Sequence, residues 1–239
     1  MGWKDKLIIA LDVPDAKKAL AIVDMLGEHA GVFKVGFELF VGAGPAIVEQ
    51  IQKKGKKVFL DLKFHDIPIT VSKAAVEATR LGVYMFNLHA SGGLAMMTRC
   101  TEAVAEVCRK EHLQRPKIIG VTTLTSLDDK TLKSELCIQH GLKAHVKHLA
   151  LLAQKAGLDG VVASPHEIGV IKQHCGSAFL VVTPGVRPSW APPDDQRRTA
   201  TPKEAIKDGA DYIVMGRGIV KQEDPIKAIE LISLEMLTA

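Results

Sequence analysis

No stretch of this 239-residue chain approaches the ~20 consecutive apolar residues that a membrane-spanning helix needs, so no membrane partner is expected. The opening residues, MGWKDKLIIALDV, hold too short an apolar run for a secretory signal, and Lys6 stands where a myristoylation motif requires Ser or Thr. A cytoplasmic location is the resulting expectation. The four cysteines, Cys100, Cys108, Cys137 and Cys175, form no C-x-x-C pair and no zinc spacing, which predicts reduced thiols packed as small apolar groups. No Ser-His-Asp or Cys-His arrangement has a recognisable local sequence. His145 and His148 lack a carboxylate-rich partner segment and read as surface histidines, not metal ligands. Aromatics are few, and the dense basic run KKGKK at 53–57 has none interleaved. Despite a net charge of +4, that run reads as a solvated turn, and no nucleic-acid partner is expected.

What the chain does contain is enough apolar sequence, 47%, to bury a large core at the usual size of one α/β barrel. Eight short β-branched runs recur, at 7–13, 32–36, 57–62, 85–89, 117–122, 160–163, 179–183 and 212–215. Their cores (LIIAL, VVA, FLVV, YIVM) are continuously apolar, as parallel strands covered on both faces require. Between them run stretches of helical spacing, among them 15–29, 67–81, 94–111, 140–156 and 224–237. Eight strand-helix units without a long linker predict a single-domain (β/α)8 barrel over 1–239. The exception is 183–202 (TPGVRPSWAPPDDQRRTATP), rich in Pro and charge, whose length inside a compact barrel suits an active-site lid or phosphate clamp.

Chemistry in such a barrel sits at the carboxyl ends of the strands. Asp12 closes the first run, Lys34 lies in the second, and Asp61 and Lys63 close the third, with Asp66 and Pro68 opening the following loop and helix. Asp61 and Lys63 are two apart, so both leave one face of a strand while Leu62 leaves the other. A lysine between carboxylates stays protonated and becomes a fixed cation and proton donor, suited to a reaction that builds negative charge on carbon. After the seventh and eighth runs come Thr183-Pro184-Gly185-Val186-Arg187 and Gly216-Arg217-Gly218, in the two loops where these barrels commonly hold phosphate. Glycine admits close backbone approach to an anion, and a guanidinium pairs with two phosphate oxygens.

These residues closely resemble the orotidine 5′-phosphate decarboxylase family over essentially the whole length. The most specific piece is Asp61-Leu62-Lys63-Phe64-His65-Asp66-Ile67-Pro68, similar to that family's D-x-K-x-x-D signature. Around it, in family order, stand LDV with Asp12, FKVG with Lys34, NLHASGG at 87–93, LTS at 124–126, TPGVRP…DDQRR…TP from Thr183, and GADYIVMGR at 209–217. Phe86 and Leu88 stand where valines are usual.

The resemblance implies cofactor-free conversion of orotidine 5′-monophosphate to uridine 5′-monophosphate and carbon dioxide, in pyrimidine biosynthesis. Lys63 would protonate carbon 6, flanked by Asp61 and Lys34, with Asp66 completing the charged row from the partner subunit of a homodimer. Asp12 and Lys34 would contact the ribose, Thr70 the ligand from across the subunit interface, and Ile67 the substrate. Thr125 and Ser126 would approach the pyrimidine, Gln196 would bridge base and phosphate, Arg187, Gly216 and Arg217 would hold the phosphate, and Pro184 would contact the substrate. Two alternatives remain open at this stage: a magnesium-dependent sugar-phosphate enzyme of the same superfamily, and a non-catalytic nucleotide-binding protein. The first would place a carboxylate where Lys34 stands in the second run.

Overall fold

The computed structural model describes residues 2–191 and 199–239. Eight strands, β1 (Leu7–Ala10), β2 (Val32–Val35), β3 (Lys57–Phe64), β4 (Met85–His89), β5 (Lys117–Val121), β6 (Gly160–Val162), β7 (Leu180–Thr183) and β8 (Tyr212–Met215), close into a barrel. Each pairs in parallel with its successor, and β8 returns to β1 with Ile8 opposite Val214. Helices cover the outside, as the expected (β/α)8 architecture requires.

Local chemistry fixes where the helices begin. The Asp15 carboxylate accepts from the Lys18 N–H at 2.8 Å to cap Ala16–Leu26. Pro68 opens Pro68–Arg80, where its missing N–H costs nothing. Thr201 and Glu204 form a reciprocal capping box that starts Pro202–Lys207. Among the described residues seven helices lie outside the helical stretches singled out from periodicity: Trp3–Lys6, Phe37–Ala43, Ala46–Lys53, Asp129–Ser134, Ile168–Cys175, Pro202–Lys207 and Arg217–Val220. All are eight residues or shorter, so their apolar spacing spans too few turns to stand out.

Strand alternation sorts the core into two parts. One set of side chains, including Leu7, Ile9, Phe33, Val35, Leu60, Phe86 and Leu88, points outward into the layer beneath the helices. The alternate set, Ile8, Val32, Phe59, Met85, Ile119, Val182 and Tyr212, fills the barrel interior. Below it the Tyr84 and Tyr212 hydroxyls meet at 2.7 Å. The interior is therefore plugged at its amino-terminal end.

The basic run at 53–57 is the turn into β3. Lys54 pairs with Asp24 at 2.6 Å, and Lys56 donates to the Gly27 carbonyl at 2.7 Å. Cys100 and Cys175 are buried and Cys108 half-buried, but Cys137 is exposed, against the expectation that all four pack inside. Among the described residues no helix is long and apolar enough to cross a membrane.

Candidate active site

Two residues beyond each interior side chain, the same alternation raises a second layer toward the carboxyl ends of the strands. Val32 is followed by Lys34, Phe59 by Asp61, Met85 by Asn87 and Tyr212 by Val214. Three of these four are polar, and Lys34, Asp61 and Asn87 are all buried. A further two residues bring Asp12, Gly36, Lys63, His89, Thr123 and Gly216 to the barrel mouth. The strand period alone thus delivers acidic, basic and amide groups to one level.

They form a continuous row. Lys34 Nζ lies 2.9 Å from Asp12 Oδ1 and 3.3 Å from Asp61 Oδ2, and Lys63 Nζ lies 2.7 Å from Asp61 Oδ1. Burial works hardest against the Lys34 ammonium, yet Asp61 and Asp12 together outweigh it and hold its pKa above the ordinary lysine value. Burial likewise acts most strongly on Asp61, in the direction of protonation. The charges of Lys34 and Lys63, with hydrogen bonds from Lys63 and Asn87, reverse it and hold the carboxyl below the ordinary aspartate value. Both groups are therefore ionised at neutral pH. Gly36 makes room for the arrangement, since a Cβ there would lie 2.9 Å from Lys34 Nζ.

The sequence expectation that Asp61 and Lys63 share a face holds, with Leu62 packed outward against the helix layer. The backbone that achieves it is not a regular strand. Leu60 pairs with Phe86 and Phe64 with Leu88, so four steps along β3 match two along β4. Within this bulge Lys63 has a φ of 44°, a left-handed conformation that a side-chain-bearing residue seldom adopts. Asn87, opposite the bulge, accepts from the Lys63 backbone N–H at 2.8 Å and donates to Asp61 Oδ1 at 2.7 Å.

Two adjoining clefts open at the barrel mouth and share Lys34, Pro184 and Val214. The inner, of about 180 Å3, also reaches Asp61, Lys63, Asn87, Thr123 and Thr125. The outer, of about 270 Å3, extends past Asp12 to Arg187, Gly216, Arg217 and Gln222. A cation-lined charge row therefore faces one end of the space and two arginine-bearing loops the other. Gly216 lies flat against β1, where a Cβ would come within 3.2 Å of the Ala10 Cβ. The Arg187 N–H bonds the Ala200 carbonyl at 2.9 Å, tying the two described ends of the 183–202 segment together.

Other expected positions fall differently. Ser126 is exposed and lines neither cleft. Asp66, Ile67 and Thr70 are exposed beside the mouth, and the Asp66 carboxylate accepts from the N–H of Ile67 at 2.6 Å without joining the Lys34–Asp61–Lys63 row. Gln196 lies outside the described residues. His145 is half-buried and His148 exposed on the helix Leu142–Lys155, and among the described residues no three His, Cys, Asp or Glu side chains gather as metal ligands would.

Residues 5–232 match the profile of the Orotidine 5'-phosphate decarboxylase / HUMPS family. The chain belongs to that family. It is 50% identical over 236 residues to an orotidine 5'-phosphate decarboxylase of Moorella thermoacetica, covering 99% of this chain and 94% of the relative. With one of Trichlorobacter lovleyi it shares 52% over 236 residues, 98% of this chain and 96% of the relative. The crystal structure of orotidine 5'-phosphate decarboxylase from Lactobacillus acidophilus superposes with a TM-score of 0.85 at 35% identity, spanning 97% of this chain and 99% of that one. The Pyrococcus horikoshii enzyme, at 23% identity and a TM-score of 0.75, covers 98% of this chain and 100% of that one and supports the fold alone.

Three further residues of this orotidine 5'-phosphate decarboxylase-family chain line the mouth: Asn87, Thr123 and His89. Asn87 was visible only as part of NLHASGG, although a lone amide inside the apolar strand MFNLH is itself a signal. The Thr123 hydroxyl is buried against the inner cleft with no protein partner among the described residues. His89 stacks near His65, with ring centroids 5.2 Å apart. Burial first, then the charges of His65 and Lys63, keep its pKa below the ordinary histidine value.

Proposed function

We propose that this protein is a carboxy-lyase that converts orotidine 5′-monophosphate to uridine 5′-monophosphate and carbon dioxide, the decarboxylation step of pyrimidine nucleotide synthesis. The observation that carries the reading is the Lys34–Asp61–Lys63 row at one end of a cleft whose other end holds Arg187, Gly216 and Arg217. Breaking the bond from carbon 6 to the carboxylate leaves an electron pair in the ring plane, where no π system can accept it. Lys63 Nζ, held 2.7 Å from Asp61 Oδ1, faces that pair and delivers the proton that replaces carbon dioxide. Solvent then reprotonates the amine.

Asp12 and Lys34 reach the ribose, Thr125 the pyrimidine, Ile67 the substrate, and Thr70 the ligand from the dimer interface, whereas Ser126, exposed outside both clefts, would have to turn inward to meet the base. Arg187, Gly216 and Arg217 take the phosphate, Pro184 contacts the substrate, and Gln196 links phosphate to base. A single unit-charge pair at ~4 Å with an effective dielectric near 20 contributes about 4 kcal/mol, whereas the largest enzymatic accelerations need about 20 kcal/mol or more. The remainder comes from preorganisation of the charge row and from binding of the phosphate at the other end of the cleft.

Asp66 acts in the neighbouring subunit of a homodimer. Its exposure, together with Ile67 at 62% and Ile69 at 46%, gives the mouth a rim of apolar and acidic side chains suited to burial against a second copy.

The reading is tested by adding orotidine 5′-monophosphate and following the change in ultraviolet absorbance, with chromatographic identification of the product. EDTA is expected to leave the rate intact, because the Lys34 ammonium occupies the space between Asp12 and Asp61 that a divalent cation would need. Activity lost to EDTA and restored by magnesium would contradict this. Arg217→Ala is expected to raise KM at least about tenfold and also to lower kcat, since a phosphate contact that strengthens in the transition state acts on both. Unchanged kinetics would remove Arg217 from the phosphate site.

A further inference from the structure

We infer that Asn87 is the positioning residue of the charge row, holding the Lys63 backbone through its side-chain carbonyl and the Asp61 carboxylate through its amide. The inference rests on the proposed role of Lys63 as proton donor. At the β3 bulge the Lys63 N–H has lost its register with β4, and the side-chain carbonyl of Asn87 takes it instead at 2.8 Å. That bond fastens Lys63 at a φ of 44°, from which its side chain doubles back to Asp61 at 2.7 Å.

The amide nitrogen of the same side chain donates at 2.7 Å to Asp61 Oδ1, the oxygen that also receives Lys63 Nζ. Asn87 is 1% exposed, so neither bond is exchanged for water. An asparagine alone among residues of this size offers both an acceptor and a fixed donor in these two directions. Two members of the row, otherwise linked through a strained backbone, are thus held by one rigid group on the neighbouring strand.

Two variants separate the two bonds. Asn87→Ala removes both and is expected to lower kcat about 10- to 100-fold while KM stays within about threefold, because the phosphate loops are untouched. Asn87→Asp keeps the acceptor for the Lys63 N–H but can donate to Asp61 only when protonated. Its new carboxyl would share a proton with Asp61, against the opposing charges of Lys34 and Lys63, with Asp12 and His89 completing the surroundings.

The protonated form is the active one, so kcat of Asn87→Asp is expected to fall as pH rises across a range where the wild type is flat. A role confined to folding would lower the melting temperature without creating that slope. Wild-type kcat in Asn87→Ala, or a pH profile of Asn87→Asp parallel to the wild type, would overturn the inference. Wild-type protein assayed alongside keeps the two readings distinct, since failure of the wild type to consume orotidine 5′-monophosphate would refute the function and not the positioning. Positioning is then read from a crystal structure of Asn87→Ala. Lys63 is expected to leave its left-handed conformation, and a retained Lys63–Asp61 contact at the same backbone angle would overturn the inference.

Discussion

Replacing Lys63 by alanine is expected to lower kcat by at least about a thousandfold while leaving the fold intact. Two contributions vanish together, the cation beside the developing carbanion and the proton that quenches it. Each class of interaction separately contributes on the order of 100-fold or more. The fold is spared because Asp61, the buried carboxylate that loses its partner, keeps Lys34 at 3.3 Å and the Asn87 amide at 2.7 Å. No uncompensated buried charge is left behind. Substrate affinity is expected to change far less than turnover, since the phosphate loops lie at the other end of the cleft. Steady-state kinetics and a thermal melt check both halves, and a variant retaining more than a few percent of wild-type turnover would exclude Lys63 as proton donor.

The second large effect concerns Asp66 and needs no structure of the dimer. Asp66→Asn and Lys63→Ala homodimers are each expected to be nearly inactive, since every site in them lacks one charge of the row. The asparagine can still accept from the Ile67 N–H, as Asp66 does at 2.6 Å, so the local turn survives the substitution. When the two variants are mixed with free subunit exchange, half of the dimers combine them. In each mixed dimer the two lesions fall in one site and the other site has both native residues. About a quarter of wild-type activity should therefore return, by the symmetry of a two-fold assembly. If Asp66 served its own chain, every site would remain damaged. Mixing that restores nothing, once mass spectrometry has found the mixed dimers, would refute the shared site.

The barrel was legible because its strands are short, continuously apolar and spaced by helical stretches, a combination that few other architectures bury. The charge row was legible for a similar reason: in strands whose interior positions are apolar, Lys34, Asp61 and Lys63 interrupt the pattern at one end. Alternation predicted the shared face of Asp61 and Lys63, but not the bulge or the left-handed Lys63 that bring their charges into contact. Those depend on pairing with β4, and register between strands is a tertiary property. Asn87 escaped because amides carry no charge to mark them, though its interior position follows from Met85 two residues earlier. The partner-subunit role of Asp66 came only from the family resemblance, and within the chain its carboxylate is exposed and accepts from the Ile67 N–H apart from the row.

The central claim is that Lys63 places a proton on carbon 6 as carbon dioxide leaves. The most direct test is turnover of orotidine 5′-monophosphate by the wild-type protein in deuterium oxide, with the nucleotide product examined by proton NMR and mass spectrometry. The account predicts uridine 5′-monophosphate carrying a single deuteron at carbon 6, and no such product from Lys63→Ala on the same timescale. Unreacted substrate with folded wild-type protein, or the same labelled product formed equally fast by Lys63→Ala, would contradict it.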